Sequence, residues 1–138
     1  MSRIIGLDHG SRRIGIAVGD TETAMAFARP ALRRTRQAAD LAAVVALAHA
    51  EGAVHTIVGL PRNMDGTEGP QADAARAFGD RLTRLGLSVE YVDERLTSWQ
   101  AAEQIASAGR RSERASGELD SAAAALILQE YLDAQEAR

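Results

Sequence analysis

Four acidic residues stand where an α/β sheet gathers its chemistry. Ile4–Asp8 is an apolar run that ends in an acid, and Leu87–Asp93 is another, with Glu94 directly behind it. Reactive groups of parallel-type sheets collect beyond the carboxyl ends of the strands, so Asp8, Asp93 and Glu94 are expected along one edge. Asp120 reaches that edge from a helix. It shares one stripe with Ala124, Ile127 and Tyr131, at spacings that put them on the face turned to the sheet. A carboxylate on a core-facing side is costly unless a cation or hydrogen-bond donor meets it. Acids brought together from remote segments raise one another's pKa unless a metal neutralises them. Oxygen-only ligands with open positions favour Mg²⁺ or Mn²⁺ over zinc. A cation pair held this way can activate water and stabilise the leaving oxygen in phosphodiester cleavage. Each acid also has a structural reading: Asp8 capping its own turn, Glu94 pairing with Arg95 or another arginine, Asp120 favouring a helix N-terminus.

Asp8-His9-Gly10-Ser11-Arg12-Arg13-Ile14-Gly15 is a D-x-G-x-x-x-x-G pattern, whose glycines let a hairpin backbone pass close to a phosphate or an ion. The same pattern opens the phosphate loop of sugar kinases and actin-like ATPases. Those proteins grip nucleotide between two lobes, and 138 residues hold one. His9, His49 and His55 lack metal-site spacing. His49, in an apolar helix, and His55, at a strand start, read as structural; His9 lies beside Asp8.

All 16 basic residues are arginine and there is no cysteine. Thiolate nucleophiles, Cys-ligated zinc or iron–sulfur clusters, disulfide scaffolds, Walker and kinase lysines and Schiff-base chemistry are therefore excluded. The net charge of −3 argues against bulk attraction to a polyanion. Locally the balance reverses: Met1–Arg36 and Gly109–Ser116 are both net basic on an otherwise acidic chain. Such patches suit guided binding of nucleic acid. No apolar run approaches membrane-spanning length and no signal peptide opens the chain, so a cytoplasmic, membrane-independent protein is expected.

The order of elements that must position these residues follows from periodicity. Ile4–Asp8 and Arg13–Asp20 read as a hairpin, and Ala24–Leu32 as a weaker strand stopped near Pro30. Ala38, Leu41, Ala42, Val45 and Ala48 stripe a helix ended by Gly52. Val54–Leu60 is a strand, and Pro70 opens a helix with Ala75, Phe78, Leu82 and Leu85 as its buried side. Leu87–Asp93 is the last strand, a helix follows from Thr97 to Gly109, and Glu118–Ala134 forms the last helix. One α/β domain over residues 1–138 is expected, with a mixed five-stranded sheet, an antiparallel hairpin edge and flanking helices.

Asp8-His9-Gly10 with Gly15, Val58-Gly59-Leu60-Pro61-Arg62-Asn63-Met64-Asp65-Gly66-Thr67, Asp93-Glu94-Arg95-Leu96-Thr97, and Asp120 followed by Ala122-Ala123 and Leu126-Ile127-Leu128-Gln129 closely resemble the YqgF/RuvX family. The resemblance covers nearly the whole chain. It implies an RNase H-like, RuvC-type fold and a nuclease that matures the 5′ end of pre-16S ribosomal RNA, in a family long associated with Holliday junction resolution. Carried over residue by residue, it implies Asp8, Glu94 and Asp120 as catalytic metal ligands, with Asp93 a further ligand or an orienting neighbour. Ser98 stands where a second Thr is frequent, a small change because both hydroxyls cap helices. The often lysine-containing basic segment is here Arg110, Arg111 and Arg114, and arginine grips phosphate bidentately.

The expected function is a Mg²⁺- or Mn²⁺-dependent endonuclease acting on precursor rRNA, as monomer or homodimer. Gly10, Arg12, Arg13, Asn63, Arg95, Arg110, Arg111 and Arg114 are its expected nucleic-acid contacts. The turn Asn63-Met64-Asp65-Gly66 would position substrate backbone, although Asp65-Gly66 also suits a tight structural turn. The alternatives are a resolvase of branched DNA using the same chemistry, and a noncatalytic RNA-binding ribosome-assembly factor.

Overall fold

A computed structural model describes residues 2–63, 65–93 and 121–136. Among them run strands β1 (Arg3–His9), β2 (Arg13–Asp20), β3 (Met25–Arg33), β4 (Ala53–Leu60) and β5 (Val89–Asp93). The helices are α1 (Gln37–Glu51), α2 (Pro70–Arg84) and α3 (Ala122–Glu136). The strands form one sheet in the order β3-β2-β1-β4-β5. β1–β2 and β2–β3 are antiparallel, whereas β1–β4 and β4–β5 are parallel. This is the expected mixed sheet with its hairpin edge. The expected helix from Thr97 to Gly109 lies outside the described residues.

Alternation along the central strands builds two cores. Ile5, Leu7, Ile14, Ile16, Val58 and Leu60 point to one side, where they pack on Leu41, Val44 and Ala48 of α1 and Ala75, Phe78 and Leu82 of α2. Ile4, Ala17 and Ile57 point to the other, under Ala124, Ile127, Leu128 and Leu132 of α3. α3 sits close because β1 carries Gly6 there. A Cβ on Gly6 would meet Leu128 Cβ at 3.0 Å and the Ala124 carbonyl at 3.3 Å.

Three local expectations are corrected. β3 is not stopped at Pro30 but continues through it to Arg33. Pro30 lies at an irregularity: Ile14 pairs with Leu32 while Ile16 pairs with Arg29, so β3 spends an extra residue. A bulge on an edge strand is where a residue lacking N–H is tolerated. In α1 the buried stripe is Asp40, Leu41, Val44 and Ala48; Ala38 and Ala42 are exposed and Val45 is only partly covered. The helix is rotated because Asp40 turns inward to partners described below. In α2, Leu85 leaves the stripe and is 54% exposed, since it is the C-cap and no longer follows helical periodicity. Gly52 ends α1 at φ 67° and Pro70 occupies the first turn of α2, as expected.

A side chain of α3 caps the start of the outer edge of β3. Gln129 Nε2 donates to the Ala24 carbonyl at 2.7 Å, and its Oε1 accepts from the Ala26 amide at 3.0 Å.

Candidate active site

The carboxyl ends of β1, β4 and β5 finish flush. Leu7 is in register with Val58, Val58 with Tyr91, and Leu60 with Asp93. Asp8 therefore stands level with Gly59, at the edge where Asp93 ends β5. Asp8 is half-buried, and its cross-strand partner on β2 is Gly15. By strand alternation it shares the α3 side of the sheet with Ile4 and Gly6. Gly15 presents no side chain to it.

Beyond Asp8 is an open groove of ≈ 760 Å³, walled by Asp8 and the Gly10–Arg13 turn on one side and by Arg33 and Arg34 on the other. The turn is tight. The Gly10 amide donates to the Arg13 carbonyl at 2.9 Å, and a Cβ on Gly10 would lie 2.7 Å from that same oxygen. Here glycine is required by close backbone approach.

Arg34 braces the turn from outside. Its Nη1 donates to the Gly10 carbonyl at 2.9 Å and lies 3.4 Å from that of Ser11, and its amide donates to the Arg12 carbonyl at 2.9 Å. Its Nε faces Asp40 Oδ2 at 3.7 Å, and Asp40 is only 2% exposed. Asp40 Oδ1 accepts from the Thr35 amide at 3.1 Å, so one carboxylate ties the entry of α1 to the arginine behind the turn. Nothing in the local sequence separates Arg34 from Arg33 and Arg36; the signal would have been an acid at a helix position otherwise destined for the core.

His9 takes the opposite side from Asp8. Its buried ring lies against Phe78 of α2, with centroids 4.8 Å apart. Burial first, and then the nearby Arg34 charge, push its pKa below the usual imidazole value. It is a neutral packing residue, turned away from the carboxylate beside it. His55 is held by Ser88 Oγ at 2.7 Å and Glu90 Oε1 at 3.1 Å, and His49 is exposed in the last turn of α1.

At β5, Asp93 is 51% exposed and its Oδ2 lies 3.6 Å from Arg62 Nε. Arg62 Nη1 also meets Glu68 Oε2 at 3.2 Å, and Glu68 in turn holds Arg76 of α2 at 2.7 Å. Asp93 thus joins a chain of ion pairs that closes the 62–69 loop onto α2. Inside that loop Asn63 Nδ2 donates to Thr67 Oγ1 at 3.1 Å, its amide donates to the Thr67 carbonyl at 2.8 Å, and Gly66 turns at φ 89°. Asp65 Oδ1 accepts from the Thr67 hydroxyl at 2.6 Å and the Thr67 amide at 3.0 Å, which holds its pKa below the usual carboxylate range. The expected substrate-positioning turn is built from its own polar side chains.

Glu94, Arg95, Arg110, Arg111, Arg114 and Asp120 lie outside the described residues. Ser121, next to Asp120, is fully buried, and its Oγ accepts from the Ile16 amide at 2.9 Å. This anchor was not among the expected site residues. Among the described residues no three His, Cys, Asp or Glu side chains gather. Asp8 itself has the chemistry of one ligand to a hard cation: an oxygen donor at a strand end, opposite a glycine and open to an arginine-walled groove.

The family model described as "RuvX: Holliday junction resolvase" matches residues 2–134. A protein of Anaeromyxobacter dehalogenans (strain 2CP-1), carrying the provisional name pre-16S rRNA nuclease, is 44% identical over 132 residues, covering 95% of this chain and 96% of its own length. One of Opitutus terrae with the same name is 47% identical over 133 residues, covering 95% and 91%. Among solved structures, Thermus thermophilus RuvC in complex with a Holliday junction substrate superposes with TM-score 0.59 at 15% identity, covering 99% of this chain and 96% of that one. Fowlpox virus resolvase, solved with Holliday junction DNA, gives TM-score 0.57 at 11% identity, covering 96% and 98%. At such identities the likeness is one of fold, and it gives the mixed sheet its RNase H-like class.

Proposed function

Because the chain belongs to the RuvX family, we propose that it is a nuclease that hydrolyses phosphodiester bonds of precursor ribosomal RNA, at the 5′ end of pre-16S rRNA. The observation that carries this reading is Asp8, a half-buried carboxylate at the end of β1 that opens into a groove walled by four arginines. A carboxylate alone repels a phosphodiester. Beside a bound cation and within reach of guanidinium groups it becomes one side of a phosphate site.

Asp8, Glu94 and Asp120 would hold Mg²⁺ or Mn²⁺, whose chemistry is Lewis acidity toward the scissile phosphate. Asp93, paired with Arg62, orients the end of β5 in this scheme and is not counted among the ligands. Arg12 and Arg13, together with Arg95, Arg110, Arg111 and Arg114, bind flanking phosphates. Gly10 lets the backbone approach them, and Asn63 shapes the loop beyond β4. The site of action is the cytoplasm, where precursor rRNA is made; no helix among the described residues is long and apolar enough to cross a membrane.

The test is incubation of the purified protein with matched precursor RNA, single-stranded DNA and a four-way DNA junction, each with Mg²⁺, with Mn²⁺ and with chelator. Metal-dependent cutting of the RNA near its 16S 5′ end is expected. Paired symmetric nicks in the junction by a stable dimer indifferent to RNA would replace this reading with branched-DNA resolution. RNA binding without metal-dependent turnover would replace it with a noncatalytic assembly role.

A further inference from the structure

The β1–β2 ladder ends at the His9–Ile14 pair, and Gly10–Arg13 beyond it form the turn that walls the groove beside Asp8. The turn's own backbone bond runs from the Gly10 amide to the Arg13 carbonyl. Its other carbonyls go to a single residue. Arg34 Nη1 donates to that of Gly10 at 2.9 Å and approaches that of Ser11 at 3.4 Å, and the Arg34 amide donates to that of Arg12 at 2.9 Å. One residue thus fixes three consecutive peptide units that begin just past Asp8.

What aims Arg34 is Asp40. The Oδ1 of this acid accepts from the Thr35 amide, as a carboxylate near a helix start readily does. That bond is available to an exposed side chain, yet Asp40 is buried. Its Oδ2 and Arg34 Nε face each other at 3.7 Å, and among the described residues neither atom makes a hydrogen bond. Burying an ion pair with unmatched atoms costs stability, and an apolar pair of similar size often serves a fold better. What the pair supplies is orientation, because the planar guanidinium must be held in one pose for its fork to meet the turn. The pair also lies close to the last residue of β1. After burial, it is the Arg34 charge that lowers the His9 pKa, and Asp40 opposes it.

We propose that Arg34 and Asp40 are positioning residues of the nuclease site: the α1 carboxylate aims the guanidinium, and the guanidinium sets the Gly10–Arg13 turn, so that the end of β1 bearing Asp8 keeps the geometry that turnover needs. This rests on the nuclease reading above. Arg34 stands in the groove wall, whereas Asp40 is buried behind it and acts through it.

Asp40→Asn is the decisive variant, because a residue buried behind the wall does not bind substrate itself. The amide keeps an acceptor for Thr35 and removes a negative charge, so charge alone would leave RNA affinity unchanged or tighter. Positioning predicts that kcat on precursor RNA falls about tenfold, while KM, and affinity measured by anisotropy in chelator, do not weaken. It also predicts faster hydrogen exchange at the Gly10 amide. Glu51→Gln, which breaks the Arg3–Glu51 ion pair at the other end of α1, should change none of these. Combining Arg34→Met with Asp40→Asn removes both charges, and should bring the melting temperature back toward that of the unsubstituted protein without bringing back kcat. Recovery of kcat together with the melting temperature would reduce the pair to fold stability and overturn the proposal. An unchanged kcat in Asp40→Asn, or a loss of rate matched by weaker RNA binding, would overturn it too, and each leaves the nuclease reading in place. Absence of metal-dependent cleavage by the unsubstituted protein would overturn both.

Discussion

Ser121 Oγ accepts the backbone amide of Ile16 at 2.9 Å, joining the start of α3 to the middle of β2 across 105 positions of sequence. The bond falls beside the β3 bulge, where the ladder is interrupted and the Ile16 N–H needs another acceptor. It also places the residue after Asp120 on the sheet, so the register of α3 against β2 is set where the site needs it.

Ser121→Ala should therefore leave a buried donor unmatched. The expected cost is about 1–3 kcal/mol of stability, read as a lower thermal midpoint. Ser121→Thr keeps the hydroxyl and should recover more of the midpoint than alanine does. A midpoint unchanged in Ser121→Ala would show that the bond contributes nothing.

Asp8→Asn should abolish cleavage while leaving the far-ultraviolet circular dichroism unchanged, because the amide is nearly isosteric but a far poorer ligand for a hard cation. In the proposed site, where Asp8 would stand with Glu94 and Asp120, neutralising it relieves repulsion, so without metal the melting temperature should not fall. Full activity of the purified variant on precursor RNA would remove Asp8 from the chemistry.

Gly6→Ala tests how closely α3 must lie on β1. The added carbon would meet Leu128 Cβ at 3.0 Å and the Ala124 carbonyl at 3.3 Å, so the helix must shift. Overpacking of this kind costs about 1–3 kcal/mol. Because α3 carries Ser121 at its start, cleavage should fall along with the melting temperature, and denaturant titration beside initial rates would show both.

Tyr91 sets an alkaline limit. Its hydroxyl donates to Asp80 Oδ1 at 2.5 Å and lies 2.9 Å from the Arg76 carbonyl. Burial first, then the hydrogen bond and charge of Asp80, push its pKa above the ordinary tyrosine value. A folded-state pKa raised in this way contributes stability that is fully present below about pH 10, the unfolded value, and is lost as pH rises beyond it. Phenolate absorbance near 295 nm, taken as the difference from Tyr91→Phe, should lag ordinary tyrosine titration. Tyr91→Phe should flatten the fall of stability above pH 10; identical alkaline profiles in the two proteins would sink this account.

Elements governed by local rules were legible in the sequence: the hairpin, the glycine end of α1, Pro70 in the first turn of α2, and the α3 stripe of Ala124 and Ile127. Asp8 was legible as an acid ending an apolar run. Pairings made across long separations were hidden. Asp40 rotates α1 because Arg34 and Thr35 receive it, and a period-based stripe cannot register a buried acid with partners elsewhere. Pro30 counted against a strand because its position at an edge bulge is a property of the sheet. Ser121 and Gln129 were ordinary polar residues in an amphipathic run until their acceptor and donor partners on β2 and β3 were known. Arg34 is one arginine in a run of like neighbours, and its place as a brace depends wholly on its contacts with Gly10 and Asp40.

The treatment of the β3 rim bears on how crowded copies of this chain behave. A bare rim strand offers a row of hydrogen-bonding groups that can template a strand from another molecule. Here Gln129 occupies the Ala24 carbonyl and the Ala26 amide, and Pro30 offers no N–H at all. Lateral growth that turns open sheets into polymers is thereby hindered at the start of this border and at Pro30, and the first of these barriers travels with α3: loosening that helix would bare the start of the rim as well as disturb the edge where Asp8 stands.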